Sequence, residues 1–294
     1  MNDCGPNPLL PVPQNFEVQS HPWLREIPSA PKKISYLGSL QSLMKPCFAI
    51  VGTRKPSTYG IQAAIHFSRE LASRGFTIVS GLARGIDSYA HRGAIMARGT
   101  TVGVLAHGLD RIYPPENRPL SQKILSSGGC LISEYPQSEP PFPHHFPERN
   151  RIISGFCVGT LIVEAAEKSG SLITARFALE QNRELFVIPS RINDKSFKGG
   201  NLLLQEGAKM VLNVEDILDE LPKEYLSVDP EKKKQKTCFP ELREYFQSYG
   251  GTLSLGTLYS ASNSKKQRLI KDLERALLEE QALEISPQLF VWID

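Results

Sequence analysis

The sequence has no long hydrophobic run and no paired cysteine motif. Its apolar stretches fall well short of the ~20 residues that a membrane-spanning helix requires. The cysteines are scattered, with no Cys-x-x-Cys spacing of a zinc knuckle or redox centre, at positions Cys4, Cys47, Cys130, Cys157 and Cys238. The amino-terminal residues lack the basic start and apolar core of a secretion signal. These absences predict a cytoplasmic protein with reduced thiols and no membrane segment.

Several nucleotide and catalytic motifs are also missing. There is no Gly-x-Gly-x-x-Gly fingerprint, no Gly-x-x-x-x-Gly-Lys-Ser/Thr loop, no Gly-x-Ser-x-Gly elbow and no His-Glu-x-x-His pair. The sequence therefore has no motif that would indicate binding of a dinucleotide, a nucleoside triphosphate or a metal ion, and we expect no cofactor. The net charge of +3 over 294 residues permits a nucleic-acid partner without requiring one.

Short β-branched runs alternate with helical patterns through the middle of the chain. The runs are FAIVG (48–52), FTIVSG (76–81), TVGVLA (101–106), LISEY (131–135), TLIVEA (160–165) and LFVIPS (185–190). Such an alternation indicates βαβ units and a sheet that is buried on both faces. We therefore predict an α/β fold, a Rossmann-like, doubly wound and mainly parallel sheet.

Composition divides the chain into four segments. Residues 1–45 are proline-rich and predict an extended arm, and residues 46–221 form the Rossmann-like domain. Residues 222–237 are polar and lysine-rich, which is typical of a linker. Residues 238–294 suggest three helices and a hairpin, the outline of a small winged-helix-like domain, although a generic helical cap would give a similar pattern.

Glycines and arginines follow the first two predicted strands. Gly52 and Arg54 come after the first, and Gly81, Arg84 and Gly85 come after the second. In an open parallel sheet, ligands bind beyond the carboxyl ends of the strands, where glycine-containing turns expose N–H groups to anions. The two loops together favour phosphate binding over tight turns with solvated arginines.

Three later segments have the same character. FPERNRIISG places Arg149 and Arg151 after Phe146. The guanidinium groups could bind a phosphate, and the aromatic ring could stack on a base. Alternatively, these arginines pair with Glu134 or Glu164. The other two segments place hydroxyl groups or glycines before a helix: Ser169, Gly170, Ser171 and Thr174 in one, and Lys198, Gly199, Gly200 and Asn201 in the other. So many anion-suited loops at one sheet edge favour a long polyanion over a single phosphate.

A catalytic interpretation is weaker. Asp87 and His91 lie one helical turn apart and could form an acid–base pair, but Asp87 also suits a helix amino terminus and His91 a packed position. Cys157 lies in an apolar stretch and is expected in the core.

These strings together resemble the DprA (Smf) family of bacterial DNA-processing proteins. The resemblance covers residues 20–220 and is carried by VGTRKPSTYG, IVSGLARGIDSYAH, TVGVLAHGLDRIYPPEN, LISEYP, FPERNRIIS, VEAAEKSGSLITA and GGNLLLQEGA, in that order. It implies a non-enzymatic protein that binds and protects single-stranded DNA and loads the RecA recombinase during natural transformation. It also implies a homodimer formed through the Rossmann-like domain.

The resemblance carries over a set of DNA-facing residues. They are Gly52, Thr53, Arg54, Ser80, Gly81, Arg84, Gly85, Phe146, Arg149, Asn150, Arg151, Ser169, Gly170, Ser171, Lys198, Gly199, Gly200 and Asn201.

Two other functions remain open. A nucleotide phosphoribohydrolase shares a related fold, but SGSLITA is not its Pro-Gly-Gly-x-Gly-Thr loop, and Glu164 precedes that segment rather than following it. A duplex-binding regulator would use the C-terminal domain, whose predicted recognition helix begins basic and ends acidic.

Overall fold

The computed structural model describes residues 12–18, 21, 23–226, 239–249, 251–261, 263–278, 282–286 and 288–292. The chain divides into two compact units, Met1–Pro230 and Glu231–Asp294. Residues 1–11 of the predicted arm, residues 227–237 of the predicted linker, Cys4 and Cys238 lie outside the described residues.

A nine-stranded sheet forms the centre of the first unit. Its strands are β1 (Gln14–Glu17), β2 (Lys33–Gly38), β3 (Cys47–Val51), β4 (Thr77–Ser80), β5 (Thr101–Val104), β6 (Cys130–Ser133), β7 (Gly159–Ile162), β8 (Glu184–Val187) and β9 (Lys209–Met210). The order is β1-β2-β6-β5-β4-β3-β7-β8-β9. Strands β3 to β9 pair in parallel, whereas β1–β2 and β2–β6 are antiparallel. The predicted mainly parallel sheet is confirmed.

Helices cover the two faces of this sheet. They are α1 (Thr58–Ser73), α2 (Ile86–Met96), α3 (Arg118–Ser126), α4 (His145–Gly155), α5 (Ser171–Glu180), α6 (Lys198–Gln205) and α7 (Glu215–Leu218). Along β3, Phe48 and Ile50 pack into one core, and Ala49 and Val51 into the other. Successive strand side chains point to opposite faces, so a sheet covered on both sides requires an uninterrupted apolar run.

The described part of the predicted arm belongs to the sheet. Strands β1 and β2 extend it antiparallel beyond β6, rather than leaving residues 12–45 as a separate extended segment. Periodicity did not reveal β1 because three of its four residues are exposed at the sheet edge. Main-chain hydrogen bonds to β2 hold it there, and these leave no apolar pattern in the sequence.

The described residues of the second unit form three helices and three strands. They are α8 (Pro240–Ser248), β10 (Thr252–Ser254), α9 (Leu255–Tyr259), α10 (Asn263–Leu278), β11 (Ala282–Ser286) and β12 (Leu289–Trp292). The strands pair in the order β10-β12-β11 around a core that includes Leu242, Phe246, Leu273 and Phe290. The predicted helices and hairpin are present, β10 is additional, and the winged-helix-like assignment stays a prediction.

Three features bear on the exclusions made from the sequence. No helix in the described part of the chain has the length and apolarity needed to cross a membrane. The described cysteines, Cys47, Cys130 and Cys157, are free and buried. The described part of the chain also contains no cluster of three or more His, Cys, Asp or Glu side chains that could hold a metal ion.

Candidate nucleic-acid groove

A groove opens where the strand order reverses, between β3 and β7. Its volume is about 1580 Å³. The loops after these two strands meet there, because the Thr53 N–H donates to the Glu164 carbonyl at 2.7 Å. This crevice beyond the strand ends is where doubly wound sheets bind ligands. Many of the residues singled out by the sequence line it: Gly52, Thr53, Arg54, Arg84, Phe146, Arg149, Asn150, Ser169, Gly170 and Ser171.

Gly85 lets the loops after β3 and β4 approach each other. Its φ is +77°, and a Cβ at this position would collide with the Thr53 carbonyl and the Arg54 main chain. The next residue, Ile86, donates its N–H to the Thr53 carbonyl at 3.1 Å. A residue with a side chain would therefore meet both strain and collision here. The contact brings the Arg54 and Arg84 loops side by side.

Glu164 holds the loop that carries Arg54. Its carboxylate is 1% exposed and accepts hydrogen bonds from the Ser57 N–H at 2.9 Å and the Ser57 hydroxyl at 2.8 Å. Ser57 in turn caps α1 by accepting from the Gly60 N–H at 3.1 Å. Glu164 is therefore bound to its neighbours, not directed into the groove as a catalytic glutamate would be.

Arg54 and two aromatic rings form one wall of the groove. The Arg54 guanidinium lies 5.2 Å from the centre of the Phe146 ring, and the Phe146 and Tyr113 ring centres are 5.9 Å apart. Arg54 is exposed, and Tyr113 is 40% exposed. A cation beside half-open aromatic faces can bind a phosphate and stack a base at the same time.

Arg84 is paired with a carboxylate on the groove wall. Its Nε donates to Glu116 Oε1, and this hydrogen bond raises the pKa of Arg84 and lowers that of Glu116. Both side chains are about half exposed, at 60% and 49%. The sequence predicted the exposed arginine but not its partner.

Arg149 lies in the floor of the groove instead of projecting into its opening. It is 3% exposed, and its Nη1 donates to the carbonyls of Gly81, at 2.8 Å, and Val104. Asp87 lies beside it and accepts from the Gly81 N–H at 3.1 Å. Burial lowers the pKa of Arg149 to about 10 and raises that of Asp87. Arg149 thus ties together the ends of β4 and β5, and its predicted contact with DNA is untested.

The remaining arginine of this segment follows the structural alternative. Arg151 Nη2 donates to Glu134 Oε2 at 2.6 Å, and both side chains are about 15% exposed. Asn150 faces the groove, with its Nδ2 3.4 Å from the Gly170 carbonyl.

The residues predicted to precede the last helix of the sheet form the first turn of α6 instead, and they do not line the groove. Lys198 pairs with Glu167 at 2.9 Å, and Gly199 and Gly200 are buried. Asn201 bonds the main chain of Ser190. These residues lie at the end of the same sheet, yet the structure does not bring them together with the arginine loops, and their contact with DNA stays a prediction.

The proposed acid–base pair does not form. His91 is fully buried, and its Nδ1 lies 2.7 Å from the Thr101 hydroxyl, which itself donates to the Ile78 carbonyl. Burial lowers the pKa of His91 to about 3. Ser80 is also buried and donates to the Ile50 carbonyl at 2.7 Å. Ser80 supports the carboxyl end of β4 beneath the groove, whereas His91 is bonded to the amino-terminal residue of β5.

Several groove residues were not selected from the sequence. Arg111, Tyr113, Glu116 and Phe142 all line the groove. Arg111, Tyr113 and Glu116 lie in the loop after β5, and Phe142 lies in the proline-rich loop after β6. Both loops follow predicted strands, so these residues could have been predicted from the tendency of ligands to bind beyond the carboxyl ends of parallel strands.

The chain matches the sequence model of the DNA recombination-mediator protein A family over residues 15–222. The chain belongs to this family. It is 45% identical to DNA processing protein DprA of Bacillus subtilis over 201 residues, 68% of this chain and 67% of that one. It is 43% identical to Protein Smf of Escherichia coli, covering 72% of this chain but only 56% of the relative.

Solved structures of family members agree with this fold. DNA processing protein A of Streptococcus pneumoniae superposes with a TM-score of 0.67 at 39% identity, covering 73% of this chain and 75% of that one. The Helicobacter pylori protein, whose structural study concerns its single-stranded DNA binding mode, gives 0.66 at 34% identity, covering 72% and 97%. The matched part corresponds to the first unit in extent.

Proposed function

We propose that this protein binds single-stranded DNA in the groove and catalyses no reaction on it. In this proposal the bound strand is protected from nucleases and presented to the RecA recombinase during natural transformation and recombination. The protein acts in the cytoplasm as a homodimer formed through its Rossmann-like domain.

One observation carries the proposal: exposed cations and aromatic faces line the same groove. Arg54 and Lys55 are exposed there, beside Phe146 and the half-exposed Tyr113. Cations bind the phosphates of a strand, whereas aromatic faces stack only on bases that are not already paired within a duplex. The single-stranded DNA binding studied for the H. pylori relative supports the same ligand.

Fluorescence anisotropy would test the ligand. We expect a labelled single strand to bind more tightly than its duplex, because the ring faces cannot reach stacked base pairs. The logarithm of the affinity should fall linearly with the logarithm of salt concentration, by about 0.7 per neutralised phosphate. Preference for the duplex would contradict the proposal. Release of free base from nucleoside monophosphates would instead favour the phosphoribohydrolase.

RecA loading calls for a separate measurement. On single strands already covered by a single-strand-binding protein, we expect this protein to shorten the lag before RecA begins to hydrolyse ATP. A lag that is unchanged at saturating protein would contradict the loading role while leaving DNA binding intact.

A further inference from the structure

Glu116 is an unexpected side chain in a groove for a polyanion. Among the described residues that line the groove, the carboxylates are Asp87 and Glu116. Asp87 is buried and accepts main-chain N–H groups, so its charge is held within the protein. Glu116 is 49% exposed. A freely placed carboxylate here would repel phosphates and oppose binding.

The position of Glu116 is determined by its neighbours. It lies in a short 3₁₀ turn, Pro115–Asn117, whose last residue is buried. The Asn117 amide donates to the Leu82 carbonyl at 2.8 Å and contacts the Ser88 hydroxyl at 3.0 Å. Asn117 thus joins the loop after β5 to the loop that carries Arg84. The ion pair therefore follows from the way these two loops are connected.

We propose, on the basis of the proposed function, that Glu116 is a built-in counter-ion that occupies Arg84 until a DNA phosphate displaces it. The carboxylate and a phosphate offer the guanidinium the same kind of acceptor, so one can replace the other. Because both partners are about half exposed, solvent weakens the pair and makes its displacement inexpensive.

The exchange favours strands over isolated anions. A strand already bound at Arg54 presents its next phosphates to Arg84 at a high local concentration, whereas a free phosphate must compete with Glu116 from solution. Glu116 therefore makes the Arg84 contact conditional on binding elsewhere in the groove.

The test compares single-strand affinity in four variants. Relative to the wild type, Glu116→Gln should bind about threefold to fivefold more tightly at low salt, and its salt dependence should be steeper. In an Arg84→Gln background, the same substitution should give little or no gain. Glu220→Gln is the matched control, since Glu220 also forms an ion pair between partly exposed side chains, with Lys209 outside the groove, and the variant should bind as the wild type does.

Three results would overturn the inference while the wild type still binds single strands. They are an unchanged or weaker affinity of Glu116→Gln, an equal gain for Glu220→Gln, or a gain that persists undiminished without Arg84. The last two would indicate general charge repulsion rather than occupation of Arg84. Failure of the wild type to bind would instead contradict the proposed function itself.

Discussion

Replacing Phe146 with alanine is expected to weaken single-strand binding by about tenfold or more, with no change in its salt dependence. Stacking of a base on an aromatic ring contributes about 1–3 kcal/mol and releases no counter-ions. The Phe146 ring lies between Arg54 and Tyr113 on the groove wall, where a base can reach it. Anisotropy titrations at several salt concentrations give the logarithm of the affinity against the logarithm of the salt concentration. Phe146→Ala should lower the intercept of this line and leave its slope unchanged.

Arg54→Gln provides the contrast for this measurement. Loss of one phosphate contact should make the salt slope shallower by about 0.7, which Phe146→Ala should not do. Arg98→Gln is the control, because Arg98 is exposed and lies between α2 and β5, at the amino-terminal ends of the strands, away from the groove. If Phe146→Ala binds like the wild type, or if it alters the slope as Arg54→Gln does, the stacking role is wrong.

Replacing Arg149 with alanine is expected to lower the free energy of unfolding by about 3–5 kcal/mol. The substitution leaves the carbonyls of Gly81 and Val104 without their donor and removes the positive charge beside buried Asp87. Each unpaired buried group adds its own desolvation cost. Urea denaturation followed by circular dichroism measures the change.

Two further variants distinguish support of the fold from contact with DNA. Arg149→Lys retains the charge but lacks the planar guanidinium, whose Nη1 donates to both carbonyls and whose Nε donates to Asn150 Oδ1, so we expect it to be destabilised as well. Arg176→Ala, on the exposed face of α5, should change stability by less than about 0.5 kcal/mol. A fully stable Arg149→Ala that has lost DNA binding would identify Arg149 as a direct contact and contradict its structural role.

The strands of the parallel sheet were predictable because each must bury both of its faces. This requirement leaves continuous apolar runs such as that of β3, which follow from side-chain chemistry alone. The edge strands β1 and β9 were not predicted. Their residues are largely exposed and are held by main-chain hydrogen bonds, which do not depend on side-chain identity.

The loops of the groove were predictable as a group, but the roles of their arginines were not. Arg54, Arg84 and Arg149 all follow or face the ends of neighbouring strands, and in the sequence they look alike. In the structure one lies over an aromatic ring, one is paired with Glu116 and one is buried. These differences arise from residues that are distant in sequence, such as Arg84 and Glu116.

The segment SGLARGIDSYAH separates what the sequence determines from what the tertiary structure decides. By itself the sequence determined the glycine turn, the helix that follows it and the anion-suited character of the loop, since these depend on local backbone freedom and helix geometry. Only the tertiary structure decided that Asp87 and Ser80 support the loop from below, that His91 is packed in the core and that Arg84 faces the groove. Burial and pairing depend on which loops the sheet order brings together, and that order is a property of the whole fold.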